Sequence, residues 1–282
     1  MKEQKENFNI VLVKNKDNVV MIKIIFRNRY LLWQLVKKDI RQRYQGSVLG
    51  FLWTIIVPVL MLIIYTFMFS EVFQAKWDID TSDKYQFALI LFCGLSAFSL
   101  VSEVMNRSTT LIISNTNYVK KVIFPLELLP VVLTCSAFFN SLISFIILVI
   151  ARLFLYQEIS KTIYLFILAF LPLIIFTIGV GLLISAISVY LKDISNFISV
   201  FVTILMYMSP VFFPLSSVPE NFRSMCEINP MTFMIENLRK VVLYGEYMDT
   251  TFFVKSCAIA FFFYFLGSIV FKRAKEGFAD VL

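Results

Sequence analysis

Histidine is absent from the 282-residue sequence. Because histidine is the usual general base near neutral pH and the commonest metal ligand, its absence argues against hydrolytic and metal-dependent enzymes. The 4 cysteines show no metal-ligand spacing, since Cys93, Cys135 and Cys257 lie in apolar runs and Cys226 stands alone. We therefore expect no disulfide framework, no metal site and no catalytic residue in this chain.

Nucleotide-binding motifs are also missing. The 8 glycines are isolated or near turns, and none forms a G-x-x-x-x-G-K-[ST] phosphate loop or a G-x-S-x-G nucleophile elbow. The long apolar runs have no ionisable residue at their centres, so proton-coupled transport has no obvious coupling group. If the protein performs work, the sequence indicates that another chain supplies the energy.

Apolar residues dominate what is present. They make up 59% of the chain, and the mean hydropathy is +0.80, whereas soluble domains have about 45–50% apolar residues. Charged residues bound six apolar runs that are each long enough for a membrane crossing. We predict an all-α integral membrane protein with six transmembrane helices at about 48–70, 86–104, 126–151, 162–190, 195–213 and 252–271. Residues 1–45 form a cytoplasmic lead-in and interface helix, 46–272 the membrane domain and 273–282 a cytoplasmic tail.

The net charge of +7 is concentrated before the first apolar run. Residues 1–43 hold eleven cations and four carboxylates. Residues 103–127 and 272–282 are also net positive, whereas 71–84 and 220–249 are net negative. By the positive-inside rule, this alternation places both termini in the cytoplasm. The N-terminal region also lacks the apolar stretch of a cleavable signal peptide. We expect its cations to contact anionic lipid headgroups, and we expect no nucleic-acid partner.

Three segments have patterns of their own. Residues 29–44 alternate apolar side chains and cations at helical spacing, which predicts an amphipathic helix in the membrane interface or a plain cytosolic extension. Residues 114–124 predict a short cytoplasmic helix that Pro125 ends, either a tip between two spans or a docking knob. Four prolines divide residues 209–247 into pieces too short to span, so we predict short outer helices that dip into the membrane or form a flat cap.

Aromatic side chains are candidates for lining a conduit, because sugar rings pack their C–H faces on aromatic rings. Trp53, Tyr65 and Tyr207 are the main candidates, beside Phe92 and Phe98. The alternative is that these rings face lipid or pack between helices.

Six phrases of this sequence, in this order, resemble one known family. They are RQRYQGSVLGFLWTIIVP (41–58), NTNYVKKVIFPLELLP (115–130), SAISVYLKDI (185–194), SPVFFPLSSVP (209–219), NPM (229–231) and FKRAKEGFADVL (271–282). The chain is similar, from about Tyr30 to Leu282, to the membrane-spanning subunits of type-2 ATP-binding-cassette exporters of cell-surface polysaccharides. The first span, with RYQGSVLGFLW, looks closest to O-antigen permeases, and the closing FADVL also fits teichoic acid exporters.

The resemblance implies a homodimer in the bacterial inner membrane, docked on two copies of a cytosolic ATPase that binds ATP and Mg, with a lipid-linked polysaccharide as substrate. No cofactor is expected on this chain. The implied site residues are Arg41, Arg43, Tyr44, Ser47 and Gly50 in the interface helix and following loop; Asn117, Lys120, Lys121, Phe124 and Pro125 in the helix that couples to the ATPase; Trp53, Tyr65 and Tyr207 in the channel; and Pro210, Pro214, Pro219, Asn229 and Pro230 in the outer gate.

Other functions remain open at this point. Teichoic acid or capsular polysaccharide export differs from O-antigen export only in the substrate. A membrane-embedded transferase would need a base, for which Asp193 and Glu103 are the only carboxylates at the cytoplasmic rim. A passive channel would bind no ATPase and would conduct without nucleotide.

Overall fold

The computed structural model describes residues 20–73, 85–120, 124–215 and 218–282. Within these ranges the chain is helical and contains no strand. The helices are α1 (Val20–Arg27), α2 (Arg29–Arg43), α3 (Trp53–Thr66), α4 (Gln86–Leu111), α5 (Thr116–Lys120), α6 (Leu128–Tyr156), α7 (Phe166–Ser188), α8 (Ile194–Met208), α9 (Glu220–Ile228), α10 (Pro230–Arg239), α11 (Thr250–Ala274) and α12 (Phe278–Val281). Residues 1–19 and most of the predicted loop 71–84 lie outside the described ranges.

Five described helical segments are long and apolar enough to cross a membrane: Gly50–Val72, Gln86–Leu111, Leu128–Tyr156, Ile163–Ser188 and Thr250–Val281. They include α3, α4, α6, α7 and α11, and they make this chain an all-α, multi-pass membrane protein. The sixth apolar helix, α8, has 15 residues, which is about 22 Å of helix, shorter than a hydrocarbon core of about 30 Å. The sixth crossing therefore stays a prediction.

Several helix ends differ from the predicted span boundaries. α4 continues past 104 to Leu111, and α6 continues past 151 to Tyr156. In α4, the charged side chains that mark a loop in the sequence are paired with other charged groups, so they do not end the helix. By contrast, α8 ends at Met208, before the predicted 213, because Ser209 takes an extended conformation (φ −86°, ψ 149°) in front of Pro210.

The bundle is built around α4, which packs against α6, α7, α8 and α10 and has most of its side chains buried. α7 and α11 form the most extensive helix pair in the described chain. Their backbones approach closely at Gly179 and Gly267, where a Cβ on Gly267 would lie 2.1 Å from the Gly179 carbonyl oxygen. Small residues permit such backbone approach between membrane helices.

The long helices alternate in direction, so the bundle has two distinct ends. At the α2 end, Lys275 pairs with Glu127, and the Tyr190 hydroxyl donates to the Ala274 carbonyl (2.6 Å). At the α10 end, the Ser160 hydroxyl donates to the Val241 carbonyl (2.5 Å). The alternation of loop charge predicts that the α2 end is the cytoplasmic one, and this orientation stays a prediction.

Candidate functional site

An open groove of about 390 Å³ runs between α3, α4 and α8. Tyr65 and Met61 of α3 line one side, and Thr203 and Met206 of α8 line the other. Half of the α3 residues are exposed, most of the others are half-buried, and only Thr54 is buried. The groove is therefore a half-open channel along the side of the bundle.

A polar stripe on α4 lies along the groove, at Ser99, Ser102 and Asn106. Their spacing of three and four residues places them on one helix face. Each donates to its own helix: Ser99 to Ser96 (2.8 Å), Ser102 to Ser99 (3.1 Å) and Asn106 to Ser102 (2.9 Å). Because these donors are satisfied, the hydroxyl oxygens remain as acceptors facing the groove. A stripe of this kind suits a hydroxyl-rich molecule or water better than lipid.

The three predicted channel aromatics lie in different places. Tyr65 lines the groove together with Phe92 and Phe98. Trp53 is exposed at the first residue of α3 and does not line it. Tyr207 stacks on Phe212, with ring centroids 5.7 Å apart, and lines a separate cavity of about 410 Å³ beside α9. The structure thus does not bring the three rings together in one cavity of this chain.

An ionic cluster joins α2 to the bundle at the α2 end of the groove. Arg107 donates to both carboxylate oxygens of Asp39, at 2.6 and 3.2 Å, and to Glu103 at 3.1 Å. Arg43 pairs with Glu103, and Ser136 donates to Asp39. Two cations and two carboxylates are therefore balanced where α2, α4 and α6 meet. Bidentate, charge-assisted bonds of this kind fix both distance and orientation.

The other predicted residues of this segment lie around the cluster. Arg41 and Ser47 are exposed, and Tyr44 packs edge-on against Phe51 with centroids 6.2 Å apart. Gly50 has φ +49°, a left-handed conformation that suits glycine, at the turn into α3. Arg43 is thus the predicted residue that bonds directly to the membrane helices.

The predicted coupling helix corresponds to α5, which has five residues and lies at the α2 end. Asn117 and Lys120 are exposed, and Lys120 donates to the Leu282 carbonyl next to α12. Tyr118 stacks on Phe124, with centroids 4.6 Å apart, against a small core that also includes Ile112 and Phe278. Pro125 follows and is half-buried, whereas Lys121 lies outside the described residues. α5 therefore packs on the ends of several long helices.

At the opposite end, the predicted outer region forms two short helices of different character. α9 starts after Pro219 and is largely exposed, with Phe222 59% and Ile228 79% accessible. α10 is inserted between α4, α7 and α11 and has eight buried residues, Met231–Ile235 and Asn237–Arg239. Because α10 is buried among these helices, the flat-cap alternative does not apply to it.

The junction between α9 and α10 is built by the predicted residues Asn229 and Pro230. Asn229 caps α10 by accepting from the Met231 N–H (2.9 Å), and Pro230 occupies the first helical position, where its missing N–H costs nothing. The Asn229 amide also donates to Ser209 (2.9 Å), next to the buried Pro210. Pro214 is half-buried in the connection that follows.

Arg239 is the residue of this end that the sequence did not reveal. It is fully buried, and it donates to the carbonyls of Pro210 (2.6 Å) and Val211 (3.0 Å) and to Glu236 (2.8 Å). These carbonyls follow the end of α8, where helical partners are missing. Gly94 of α4 makes room, since a Cβ there would lie 2.8 Å from Arg239 Nη2.

Comparison with known proteins agrees with this architecture. Residues 30–243 match the family model described as ABC-2 type transporter. An O-antigen export system permease protein of Klebsiella pneumoniae is 26% identical over 258 residues, covering 89% of this chain and 95% of that protein. One from Myxococcus xanthus is 25% identical over 262 residues, covering 92% and 98%. A polysialic acid transport protein of Escherichia coli is 26% identical over 219 residues, covering 75% and 80%. The chain belongs to the ABC-2 type transporter family.

Proposed function

We propose that this chain is the permease subunit of an ATP-driven exporter that moves lipid-linked O-antigen polysaccharide across the bacterial inner membrane. The observation that carries the proposal is the groove between α3, α4 and α8, whose polar stripe and aromatic rings lie side by side. Hydroxyl oxygens accept hydrogen bonds from sugars, and rings pack on their C–H faces. The O-antigen export relatives, matched over nearly their whole length, support the choice of substrate.

Capsular polysaccharide is the second candidate substrate, favoured by the polysialic acid transport relative. Teichoic acid export would fit the same groove. The groove would accept all three, because its contacts are hydroxyls and rings rather than a pocket for one sugar.

A homodimer would complete the path. The groove is open along α3 and α8, and both helices expose large apolar side chains, such as Ile63 and Phe201. A second copy placed against these helices would turn two half-channels into one enclosed conduit. Burial of such faces in the membrane depends on close packing and on exclusion of lipid.

The energy source in this proposal is a pair of cytosolic ATPase subunits that bind ATP and Mg, with both termini of the permease on the same side. α5 is the contact, because Asn117 and Lys120 are exposed while Tyr118 and Phe124 pack on the ends of the long helices. A push on α5 would thus reach α4, α6 and α11 through a continuous core.

At the other end, α9 and α10 would act as the gate, with Pro210, Pro214 and Pro219 in the segment that moves.

The proposal is tested in vesicles that contain the permease, its ATPase and a lipid-linked polysaccharide. Ser99→Trp should fill the groove and abolish ATP-dependent export, and Leu168→Trp, on the exposed face of α7, should leave it unchanged. Lys120→Glu should lower co-purification of the ATPase without changing membrane insertion. Full export by Ser99→Trp would show that the groove is not the transport path. Glycan modification without ATP would indicate a transferase, and conductance without nucleotide would indicate a passive channel.

A further inference from the structure

A second polar cavity, of about 280 Å³, lies at the α10 end between α4, α6 and the segment after α10. It is lined by Gln86, Leu89, Ile90, Arg152, Tyr156, Leu243 and Tyr244. It is separate from the transport groove: Ile90 and Ser99 are nine residues apart on α4, which is two and a half turns at 3.6 residues per turn and so places them on opposite faces. The cavity therefore faces away from the proposed path.

Arg152 is poorly paired for a half-buried cation at the end of a membrane helix. It donates a single long bond, to the Val242 carbonyl (3.3 Å), and forms no ion pair with a carboxylate of the described residues. Glu158 acts on it only from a longer distance. A guanidinium has five N–H donors, so most of its capacity is unused here. A charge in this setting is expected to find an anionic partner.

The same cavity contains an acceptor without a donor. The Gln86 Oε1 atom is buried and has no hydrogen-bond partner in the described part of the chain. Leaving a buried acceptor of this kind unpaired is unfavourable, because the lost hydration of the atom is not compensated. A ligand that presents both an anionic oxygen and a hydroxyl would satisfy Arg152 and Gln86 together.

An apolar groove of about 370 Å³ lies between α6 and α7, and it is lined in part by Val242, whose carbonyl accepts the bond from Arg152. Its residues on α6 run from Leu142 to Ile150, below Arg152 on the same helix. Leu142 and Arg152 are ten residues apart, about 15 Å along a helix, close to half of a hydrocarbon core of about 30 Å. The polar cavity thus lies beside one end of an apolar groove that is about as long as one leaflet.

We propose that this site binds a resident anionic phospholipid of the outer leaflet, with phosphatidylglycerol chemistry. Its phosphate pairs with Arg152, a glycerol hydroxyl donates to Gln86 Oε1, and one acyl chain lies along the α6–α7 groove. Because the site is on the far face of α4 from the path, its occupant is a bound membrane lipid and not the exported molecule. The lipid would hold the Val241–Tyr244 segment, which begins two residues after Arg239.

The test compares lipid retention of the full chain by native mass spectrometry and its thermal unfolding in nanodiscs. Wild type should retain phosphatidylglycerol about tenfold better than phosphatidylcholine, because the phosphate of phosphatidylcholine is offset by a quaternary ammonium and its headgroup has no hydroxyl for Gln86. It should also unfold at a higher temperature in phosphatidylglycerol. Arg152→Gln should lose both preferences. Lys161→Gln, which removes an exposed cation from the same end, should keep them.

Two further measurements keep the proposal falsifiable if Arg152→Gln is poorly folded. Arg152→Lys keeps the charge and should retain a reduced preference, and Ile146→Trp should fill the acyl groove and weaken retention without altering the headgroup order. Equal lipid preference in wild type and Arg152→Gln, or equal loss in Lys161→Gln, would overturn the site. Arg152-dependent displacement of phosphatidylglycerol by polyprenyl phosphate would show that the site takes the carrier lipid instead.

Discussion

The two ends of the bundle each hold arginine inside the membrane domain, but by different means. At the α2 end, Arg43 and Arg107 pair with Asp39 and Glu103 in a cluster that is partly accessible. At the α10 end, Arg239 is fully buried and donates to three backbone carbonyls, those of Ile90, Pro210 and Val211. The first centre connects helices through opposite charges, and the second replaces backbone donors where a helix is broken.

In the proposed mechanism, this difference would let the α10 end move while the α2 end keeps its geometry. Two of the carbonyls bound by Arg239 belong to Pro210 and Val211, so the guanidinium stabilises an irregular backbone that would otherwise be unsatisfied in a water-poor region. In the proposed gate, a shift of that backbone would transfer the same donors to other carbonyls. The balanced cluster at the α2 end has two carboxylates in fixed positions, which suits a joint that transmits motion without changing its own geometry.

The largest expected effect is that of removing the buried guanidinium. Arg239→Met should destabilise the fold by about 3–5 kcal/mol, because Glu236 and the two carbonyls lose their partner in a buried site. The measurement is the thermal unfolding midpoint of purified protein. Arg223→Gln, on the exposed face of α9, is the matched control and should leave the midpoint unchanged. Equal midpoints for Arg239→Met and wild type would show that the buried guanidinium does not stabilise the fold.

A smaller effect should follow from crowding the same guanidinium. Gly94→Ala places a Cβ 2.8 Å from Arg239 Nη2 and should cost about 1–3 kcal/mol, because the side chain must shift from its carbonyls. In the Arg239→Met background, the alanine should cost much less. A double-mutant cycle on unfolding midpoints measures this coupling, and additive effects would show that Gly94 does not act through Arg239.

At the α2 end, neutralising one member of the cluster should have a moderate effect. Glu103→Gln keeps an acceptor but leaves one positive charge in excess, and should destabilise by about 1–2 kcal/mol, less than a fully buried pair because water reaches the cluster. High salt should reduce the difference from wild type. Glu220→Gln, an exposed carboxylate of α9, is the control. An unfolding midpoint unaffected by Glu103→Gln would contradict the cluster's structural role.

The smallest effect is expected at the junction between α9 and α10. Asn229→Ala removes the cap on the Met231 N–H and the bond to Ser209, and should cost about 1 kcal/mol. Asn229→Asp keeps the cap and loses the donor, so its unfolding midpoint should lie between alanine and wild type. If aspartate and alanine have the same midpoint, the cap contributes nothing.

Much of the fold follows from local patterns, and long-range pairing does not. The prolines predicted short pieces at the outer end, and Asn229–Pro230 forms the cap that its sequence suggests. Glu103 and Arg107 marked a loop in the sequence, yet they lie inside α4 because α2 neutralises them. Their spacing of four residues on one helix face was the available signal.

Arg239 was harder to foresee. It follows an apolar run in a charged, proline-rich segment, and nothing local indicates that Gly94, 145 positions earlier, leaves space for it. The channel aromatics show the same limit: Tyr65 shares a cavity with Phe92 and Phe98, whereas Trp53 and Tyr207 are elsewhere. Helical periodicity assigns a face to each residue, but the tertiary fold decides which faces meet.

The most direct test of the account is thiol labelling along α4, in a chain whose four cysteines are replaced by alanine and which is assembled with its ATPase in vesicles. Single cysteines at Ser99, Ser102 and Asn106 should react with a membrane-impermeant maleimide during ATP turnover, because they face a water-filled path. A cysteine at Leu168, on the lipid-facing side of α7, should remain unlabelled. If the three α4 positions are labelled no faster than Leu168, the groove is not a water-filled transport path.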